Sequence, residues 1–432
     1  MHETFFPTTR DRGSRVEAGD RPTDDKVHVD GTHRSRPLHE TVAWARGLAP
    51  RIGITRVADV TGLDDVGIPV VMVCRPSSRS LSVSQGKGVT LAAAEASGLM
   101  ESIELHHAEH IDAPLRLASW RDMDRRADTV PHDQVNRWKG FAFDPDLRIP
   151  WIEGTGLRSG RSVWVPFELV DLDRRLPRAY PRSGIDSSSN GLASGNTVAE
   201  AVSHALSEVI ERDSITMWHV QPHQLKDACR VDAATIDDPH ARAILDRLTE
   251  RNMIVDIWNL TGPLGLPCFE AWIGPSTVTH HRRVHISGGW GCHPDRGVAL
   301  LRAITESAQG RLNTIAGSRD DLDRQGFHLG RSVSQLEGFV GRDRSMQPVR
   351  FGDIPSFVHG TIAEDVELML GATEREGLGE PIVIDLRIAE LGVPVAKVIV
   401  PGAESGDHQG GKVLGRRARA VVDQHLGDGG PR

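Results

Sequence analysis

The sequence predicts an α+β fold, a single large domain in which mixed sheets support three loop–helix modules that converge on one cleft. Three observations lead there. Helical and strand-like hydrophobic periods alternate along the chain, and no long Gly/Ser linker divides its middle. The 432 residues suffice for one large core or two ordinary ones. One pattern, a Gly-containing loop running into a helix, occurs three times.

Residues 1–33 are polar, charged and aperiodic, and are expected to form a mobile N-terminal arm. Helices are expected over 38–50, 90–110, 197–216, 239–252, 297–316 and 363–376, where apolar residues recur at helical spacing. Short apolar runs predict strands in GIPVVMVC, SVWVPFELV, MIVDIWNL, LPCFEAWIG, PIVIDLRI and VPVAKVIV. Residues 416–432 read as a short helix and a frayed Gly-Pro tail, which leaves 34–415 as the body of the fold.

The totals exclude several function classes. A net charge of −8 offers no basic field for nucleic acid or an anionic membrane. The apolar runs are too short to span a bilayer, and no apolar segment follows a basic start. The four cysteines, Cys74, Cys229, Cys268 and Cys292, form no CxxC pair. Buried, reduced, structural thiols in a cytoplasmic protein are therefore expected, and no structural zinc site.

The threefold pattern carries the chemistry. SQGKGVTLAAAEASGLMESIE, LASGNTVAEAVSHALSEVIE and WGCHPDRGVALLRAITESAQ align on Glu101, Glu208 and Glu306. Seven residues earlier each has alanine (Ala94, Ala201, Ala299). Four residues earlier stand Ser97, His204 and Arg302; three residues later stand Glu104, Glu211 and Gln309. These positions share one helix face. Glu200 falls in the same sector as Glu208 and Glu211, within roughly 80° at about 100° per residue. One acidic stripe is ordinarily a solvated face, but three faces agreeing in register are poorly explained that way.

Clustered carboxylates repel unless cations lie between them. Glutamates with no cysteine and at most one histidine select hard cations, Mg²⁺ or Mn²⁺, over zinc. Small-residue loops such as SQGKG and GLASGN can present backbone N–H groups to phosphate at a helix start, with Lys87, Arg212 and Arg302 as countercharge. No Walker A loop, Rossmann fingerprint or kinase signature is present, and no GxSxG elbow. The pairs His106-His107 and His280-His281 lack metal-ligand spacing. A nucleotide–Mg²⁺ site of unusual design is expected.

The blocks SSSNGLASGNT…SEVIERD, QGKG…ASGLMESIE and HPDRGVALLRAITESAQGRL resemble the YcaO family of ATP-dependent amide-activating enzymes. The resemblance covers about residues 34–405. GTHRSRPLHET, GITRVADVTGLDDVGIPV and VPVAKVIVPGAE are similar to the branch that works with TfuA-type partners. It implies a YcaO-type catalytic domain at 34–415, with ATP and Mg²⁺ in the cleft. The implied metal ligands are Glu101, Glu104, Glu200, Glu208 and Glu211. Asn196 and Arg212 would hold nucleotide and phosphates, Arg302 and Glu306 would complete the site, and Lys87 and Ser97 join the nucleotide-binding set. Arg34 and Thr41 match an N-terminal nucleotide-contacting pair. Some relatives have serine where this chain has Ala193, beside Ser194.

In the family's chemistry a nucleophile adds to an amide carbon, and the resulting oxyanion attacks the γ-phosphate of ATP. The demand is for positioning and charge neutralisation rather than for a protein nucleophile. Azoline-forming relatives often end in a Pro-rich PxPxP tail, whereas this chain ends LGDGGPR. The expectation is therefore sulfur insertion, by thioamidation of a ribosomal peptide or thiolation of a small amide-containing molecule. A TfuA-like partner, a sulfur donor and a homodimer are expected with it. The alternatives are an azoline-forming cyclodehydratase acting on Cys, Ser or Thr of a precursor peptide, and a non-catalytic partner protein that retains the fold.

Overall fold

The computed structural model describes residues 24–278, 286–319, 333–345, 348–406 and 411–428. Its helices are α1 (Leu38–Leu48), α2 (Leu91–Glu109), α3 (Trp120–Asp124), α4 (Val198–His219), α5 (His223–Asp227), α6 (Pro239–Glu250), α7 (Arg296–Ala316), α8 (Val333–Val340), α9 (Ile362–Arg375) and α10 (Arg416–Asp428). All six helices expected from periodicity within the body of the fold are present, with ends shifted by a few residues.

Among the described residues the strands form four sheets. β1 (Arg56–Asp59), β2 (Val70–Cys74) and β3 (Val83–Lys87) pair antiparallel in that order. β9 (Met253–Asn259), β10 (Cys268–Pro275) and β11 (Ser287–Cys292) form a second antiparallel sheet, with β10 central. The largest runs β4 (Leu115–Ser119), β5 (Arg148–Gly156), β13 (Ile382–Asp385), β14 (Val395–Ile399) and β7 (Leu192–Ser194), with β6 (Ser162–Pro166) on β5. β8 (Val231–Asp232) and β12 (Val349–Arg350) make a small parallel pair.

The three repeats become one local design. Each Gly-containing segment is in part a strand (β3, β7, β11), and the helix that follows packs back on it: α2 on β3, α4 on β7, α7 on β11. SQGKG and GLASGN are thus not wholly loops, as read from sequence. Their small residues are strand positions on which a helix backbone lies. A Cβ on Gly86 would stand 1.9 Å from the Ala94 carbonyl oxygen, and one on Gly291 2.2 Å from that of Ala299. Side chains at these positions would push the helices off. Each helix starts at a side-chain cap eleven residues before its aligned glutamate. Thr90 accepts from Ala93 N–H, Thr197 from Glu200 N–H and Asp295 from Gly297 N–H.

Three apolar clusters hold these units. One gathers Ile103, Trp151 and Val165, a second seats α4 against α9 through Leu206, Ile210, Met369 and Leu370, and the third joins α6 and α7 to β9–β11 through Leu248, Phe269 and Ile304. Leu206 is wholly buried, and its replacement by alanine would cost about 2–5 kcal/mol. Central α4, buried along most of its length, is a rigid rail for its glutamates.

The N-terminal arm expected at 1–33 divides. Residues 1–23 lie outside the described residues, but 24–33 are docked on α9, a correction to the sequence reading. Asp24 and Gly360 exchange backbone hydrogen bonds with Ile362 and Lys26, and Lys26 Nζ pairs with Asp365 at 2.7 Å with both side chains buried. Composition alone cannot reveal such tethers, because the segment buries almost no apolar surface.

Candidate active site

Glu101 and Glu104 come from α2, Glu200, Glu208 and Glu211 from α4, and Glu306 from α7. Their side chains form two linked networks.

The first ties the N-terminal segment to the start of α4. Glu200 Oε2 accepts from the Ser35 backbone N–H at 3.0 Å and from Ser35 Oγ at 2.7 Å. Arg34 Nη1 lies 3.4 Å from Oε1, and Asn196 Nδ2 reaches both oxygens at 3.1 and 3.2 Å. Thr41 Oγ1 donates to Asn196 Oδ1 at 2.9 Å. Arg34, Thr41, Asn196 and Glu200 are therefore one unit, whereas the sequence groups Glu200 with Glu208 and Glu211 as a metal ligand. Beside it is a recess of about 410 Å³ lined by Arg34, Glu200, His204, His293 and Arg302 among others. Arg302 Nη1 is 3.4 Å from His204 Nδ1, and Arg302 Nε is buried without a partner. Burial first, and Arg302 second, push the pKa of His204 well below its ordinary value, so it is neutral.

The second network is the carboxylate cluster. Lys87 Nζ pairs with Glu306, and Arg212 Nη2 stands 3.9 Å from Glu208 and 3.8 Å from Glu211. Glu211 Oε2 also accepts from Cys292 N–H at 3.0 Å. Burial raises the pKa of both Glu208 and Glu211. Burial opposes ionisation of Glu306 too, but Lys87 and Arg212 outweigh it and hold its pKa below the ordinary range. Glu104 Oε1 accepts from Ser194 N–H at 2.9 Å and Ser194 Oγ at 2.8 Å, yet burial lifts its pKa to about 8. Burial lifts Glu101 to about 7 against the pull of Arg319 and Lys87. Glu101, Glu104 and Glu208 each feel another of the set as a repelling charge.

This donor set fits hard divalent cations. Four glutamates face one another with Lys87 and Arg212 already engaged; burial, more than mutual repulsion, raises their pKa values and disfavours their charged forms, which a bound divalent cation would favour. Another ligand grouping fits a metal less well. His33, His293 and Asp365 bring donor atoms within 4.8 Å of one another. However, the Asp295 N–H donates to His293 Nδ1 at 2.9 Å, which puts the ring proton on Nε2. Asp365 is held by Lys26 at 2.7 Å and His359 at 2.9 Å. In the grouping His106, Glu109 and His110, the Glu109 carboxylate is clamped by Arg75 at 2.7 and 2.8 Å.

Ser97 is half-buried on α2, one turn before Glu101. Sequence reasoning missed Ser35, which grips Glu200, Arg319, and Lys397 on β14, a buried lysine in electrostatic reach of Glu208. The signal for Lys397 was available: one lysine inside the apolar run VPVAKVIV. Cys268 and Cys292 are cross-strand neighbours, fully buried and free. Burial pushes the Cys268 thiol well up, away from nucleophilic use. No helix among the described residues is long and apolar enough to cross a membrane.

Comparison with known proteins places these observations. A protein of Rhizobium leguminosarum bv. trifolii, named for its place in the tfuA 3′ region, is 39% identical over 377 residues, 84% of this chain and 87% of that protein. The structure of YcaO from Methanopyrus kandleri bound with AMPPCP and Mg²⁺ superposes with a TM-score of 0.70 at 24% identity, covering 89% of this chain and 95% of that one. A heterocyclase in complex with substrate and cofactor superposes with a TM-score of 0.73 at 22% identity; 90% of this chain matches 55% of that longer one. The family model described as "YcaO cyclodehydratase, ATP-ad Mg2+-binding" matches residues 85–404. The chain therefore belongs to the YcaO family, whose cofactors are ATP and Mg²⁺.

Proposed function

We propose that this enzyme uses ATP to activate an amide carbonyl for sulfur insertion, with a TfuA-like protein as partner and a separate sulfur donor. The substrate is a ribosomal peptide or a small amide-containing molecule, and the products include ADP and phosphate. One observation carries the reading: glutamates from three helices meet in one buried cluster, beside cations suited to phosphate. The 39% identity to the tfuA-region protein supports sulfur as the nucleophile.

Residues 34–415 form the catalytic unit, active as a homodimer. Glu101, Glu104, Glu208 and Glu211 would hold Mg²⁺, which would supply charge neutralisation for phosphoryl transfer. Glu200 has its oxygens occupied by Ser35, Arg34 and Asn196, and so serves to fix the nucleotide-side wall rather than to ligate. Arg34, Thr41 and Asn196 contact the nucleoside. Lys87, Arg212 and Arg302 meet the phosphates, Glu306 orients Lys87, and Ser97 lies on the same phosphate side.

The test follows the amide oxygen. Enzyme, ATP, Mg²⁺, sulfide, the partner and an ¹⁸O-amide substrate are combined. Label in phosphate and a product heavier than the labelled substrate by about 14 Da, the difference between sulfur and ¹⁸O, support the reading. A loss of about 20 Da from the labelled substrate, one H₂¹⁸O, supports azoline formation instead, which the fold likeness to the heterocyclase keeps in view. Label retained in the product rejects carbonyl activation.

A further inference from the structure

A second recess, of about 460 Å³, opens on the other side of α4. Glu200, Ser203, His204 and Ser207 line the nucleotide-side recess, whereas Val209 lines this one. At about 100° per residue Val209 points away from those four, and Glu208 lies on the flank between the two faces. Lys397 stands in the dividing wall, felt by Glu208 on one side and lining the recess on the other.

The chemistry of the walls is selective. Lys397 is 4% exposed, and its Nζ donates to the carbonyl oxygens of Ser188 at 2.6 Å and Asn190 at 2.7 Å. An ammonium has three donors, so one remains. Asp186 is 5% exposed; its Oδ2 is held by Lys412 at 2.8 Å, while its Oδ1 is buried without a partner. Asn190 Oδ1 is also buried without a partner. Val398, Val400 and Ala403 supply apolar lining. A buried acceptor left unpaired costs stability, so its retention points to a ligand that supplies the donor. An anion would meet Asp186, and an ammonium would meet Lys397. A neutral group with N–H at one end and C=O at the other satisfies both.

We propose that this recess is the acceptor subsite, which takes a secondary or primary amide with its N–H toward Asp186 and Asn190 and its carbonyl toward Lys397. The proposal rests on the amide-activating reading and deepens it. Lys397 would hold the carbonyl oxygen against the wall that separates the recess from Glu208. A tertiary amide, which has no N–H, is then a poor ligand.

The test titrates N-acetylglycinamide, and separately N-acetylsarcosine dimethylamide, into the full chain with AMPPCP and Mg²⁺, followed by ligand-observed NMR. Saturable binding of the first probe, at least about tenfold tighter than the second, is expected. Asn190→Leu, which removes an acceptor, and Ala403→Met, which fills the recess, should each weaken the first probe about tenfold and leave AMPPCP–Mg²⁺ stabilisation unchanged. No saturable binding, equal binding of both probes, or unchanged binding in both variants overturns the subsite. Absence of AMPPCP–Mg²⁺ stabilisation in the unmodified chain strikes at the ATP reading alone, and the probe result still decides the recess.

Discussion

Glu104→Gln should make the nucleotide-free protein more stable at alkaline pH while removing its response to Mg²⁺. Glutamine keeps the oxygen that accepts from Ser194, so the substitution removes charge and little else. The Glu104 pKa rises from an ordinary 4.5 to about 8, with burial as the main cause. An acid with a raised folded pKa binds more protons folded than unfolded, so the stability of the metal-free protein falls as pH climbs from about 4.5 through about 8. Near pH 8 the two pKa values correspond to roughly 4 kcal/mol, which solvent in the open cleft reduces to on the order of 2 kcal/mol. A chain of 432 residues shifts its midpoint by about 1 °C per kcal/mol. Thermal unfolding should thus show Glu104→Gln higher by about 2 °C near pH 8 and by under about 1 °C near pH 5. AMPPCP with Mg²⁺ at a hundred times its Kd should add about 3 kcal/mol to the unmodified protein and much less to the variant. A variant less stable near pH 8 would refute the claim that burial disfavours the charged form of Glu104. Full retention of the AMPPCP–Mg²⁺ shift would refute Glu104 as a ligand.

Ser35→Ala removes a hydrogen bond to Glu200 and should weaken nucleotide binding by about 1 kcal/mol, read as a several-fold rise in the Kd for AMPPCP by calorimetry; an unchanged Kd would detach the N-terminal segment from the site. Arg311 pairs with Asp64 at 2.7 and 3.0 Å, with both side chains buried, so Arg311→Ala should cost about 3–5 kcal/mol in urea unfolding with ATP contacts untouched. Single Cys→Ala changes at positions 74, 229, 268 and 292 should lower stability more than turnover. A folded variant with intact ATP binding and no activity would instead indicate a persulfide relay through that thiol.

What the sequence made legible followed periodicity and register. The long helices α2, α4 and α7 advertise themselves by spacing, and their aligned glutamates mark one shared face. The strands beneath them do not. β3 (VSQGK) and β11 (SGGWGC) lack the apolar alternation of a strand because helices lie directly on their glycines. β4 was missed for a different reason: Leu115 and Leu117 are exposed, so apolar residues do not mark its buried side. Within the site, the carboxylates were visible because they repeat, but their partners were not. Ser35 and Arg319 reach the site from unrelated parts of the chain with no local pattern to mark them, and Lys397 shows only as a lone lysine inside an apolar run. Lys26 escaped for the same reason, since its partner Asp365 lies 339 positions away.

The repeat also accounts for how one architecture builds an asymmetric site. All three helices hold glutamate at the same step from their caps, so the backbone supplies three carboxylates in equivalent frames. The neighbouring positions then diverge. Four residues before the glutamate stand Ser97, His204 and Arg302; three residues after it stand Glu104, Glu211 and Gln309. Helix α2 is therefore acidic with no cation of its own at these positions. Helix α4 adds Arg212 to its acidic pair, and α7 exchanges one acid for an amide and carries Arg302. The pKa values follow this gradient: raised at Glu101 and Glu104, raised against the opposition of Arg212 at Glu208 and Glu211, lowered at Glu306. Burial disfavours ionisation of the carboxyls on α2, whereas Lys87 and Arg212 favour it on α7. Cations are drawn to the first and phosphate oxygens to the second, so a magnesium–triphosphate chain would be oriented by the field before any single contact forms. Exchanging the charge at one end tests this directly. Arg302→Gln should raise the Kd for AMPPCP–Mg²⁺ by at least about tenfold and steepen its salt dependence little, because a half-buried charge is weakly screened. A loss that vanishes at moderate salt would mean that Arg302 acts as a surface charge and that the gradient does not orient the ligand.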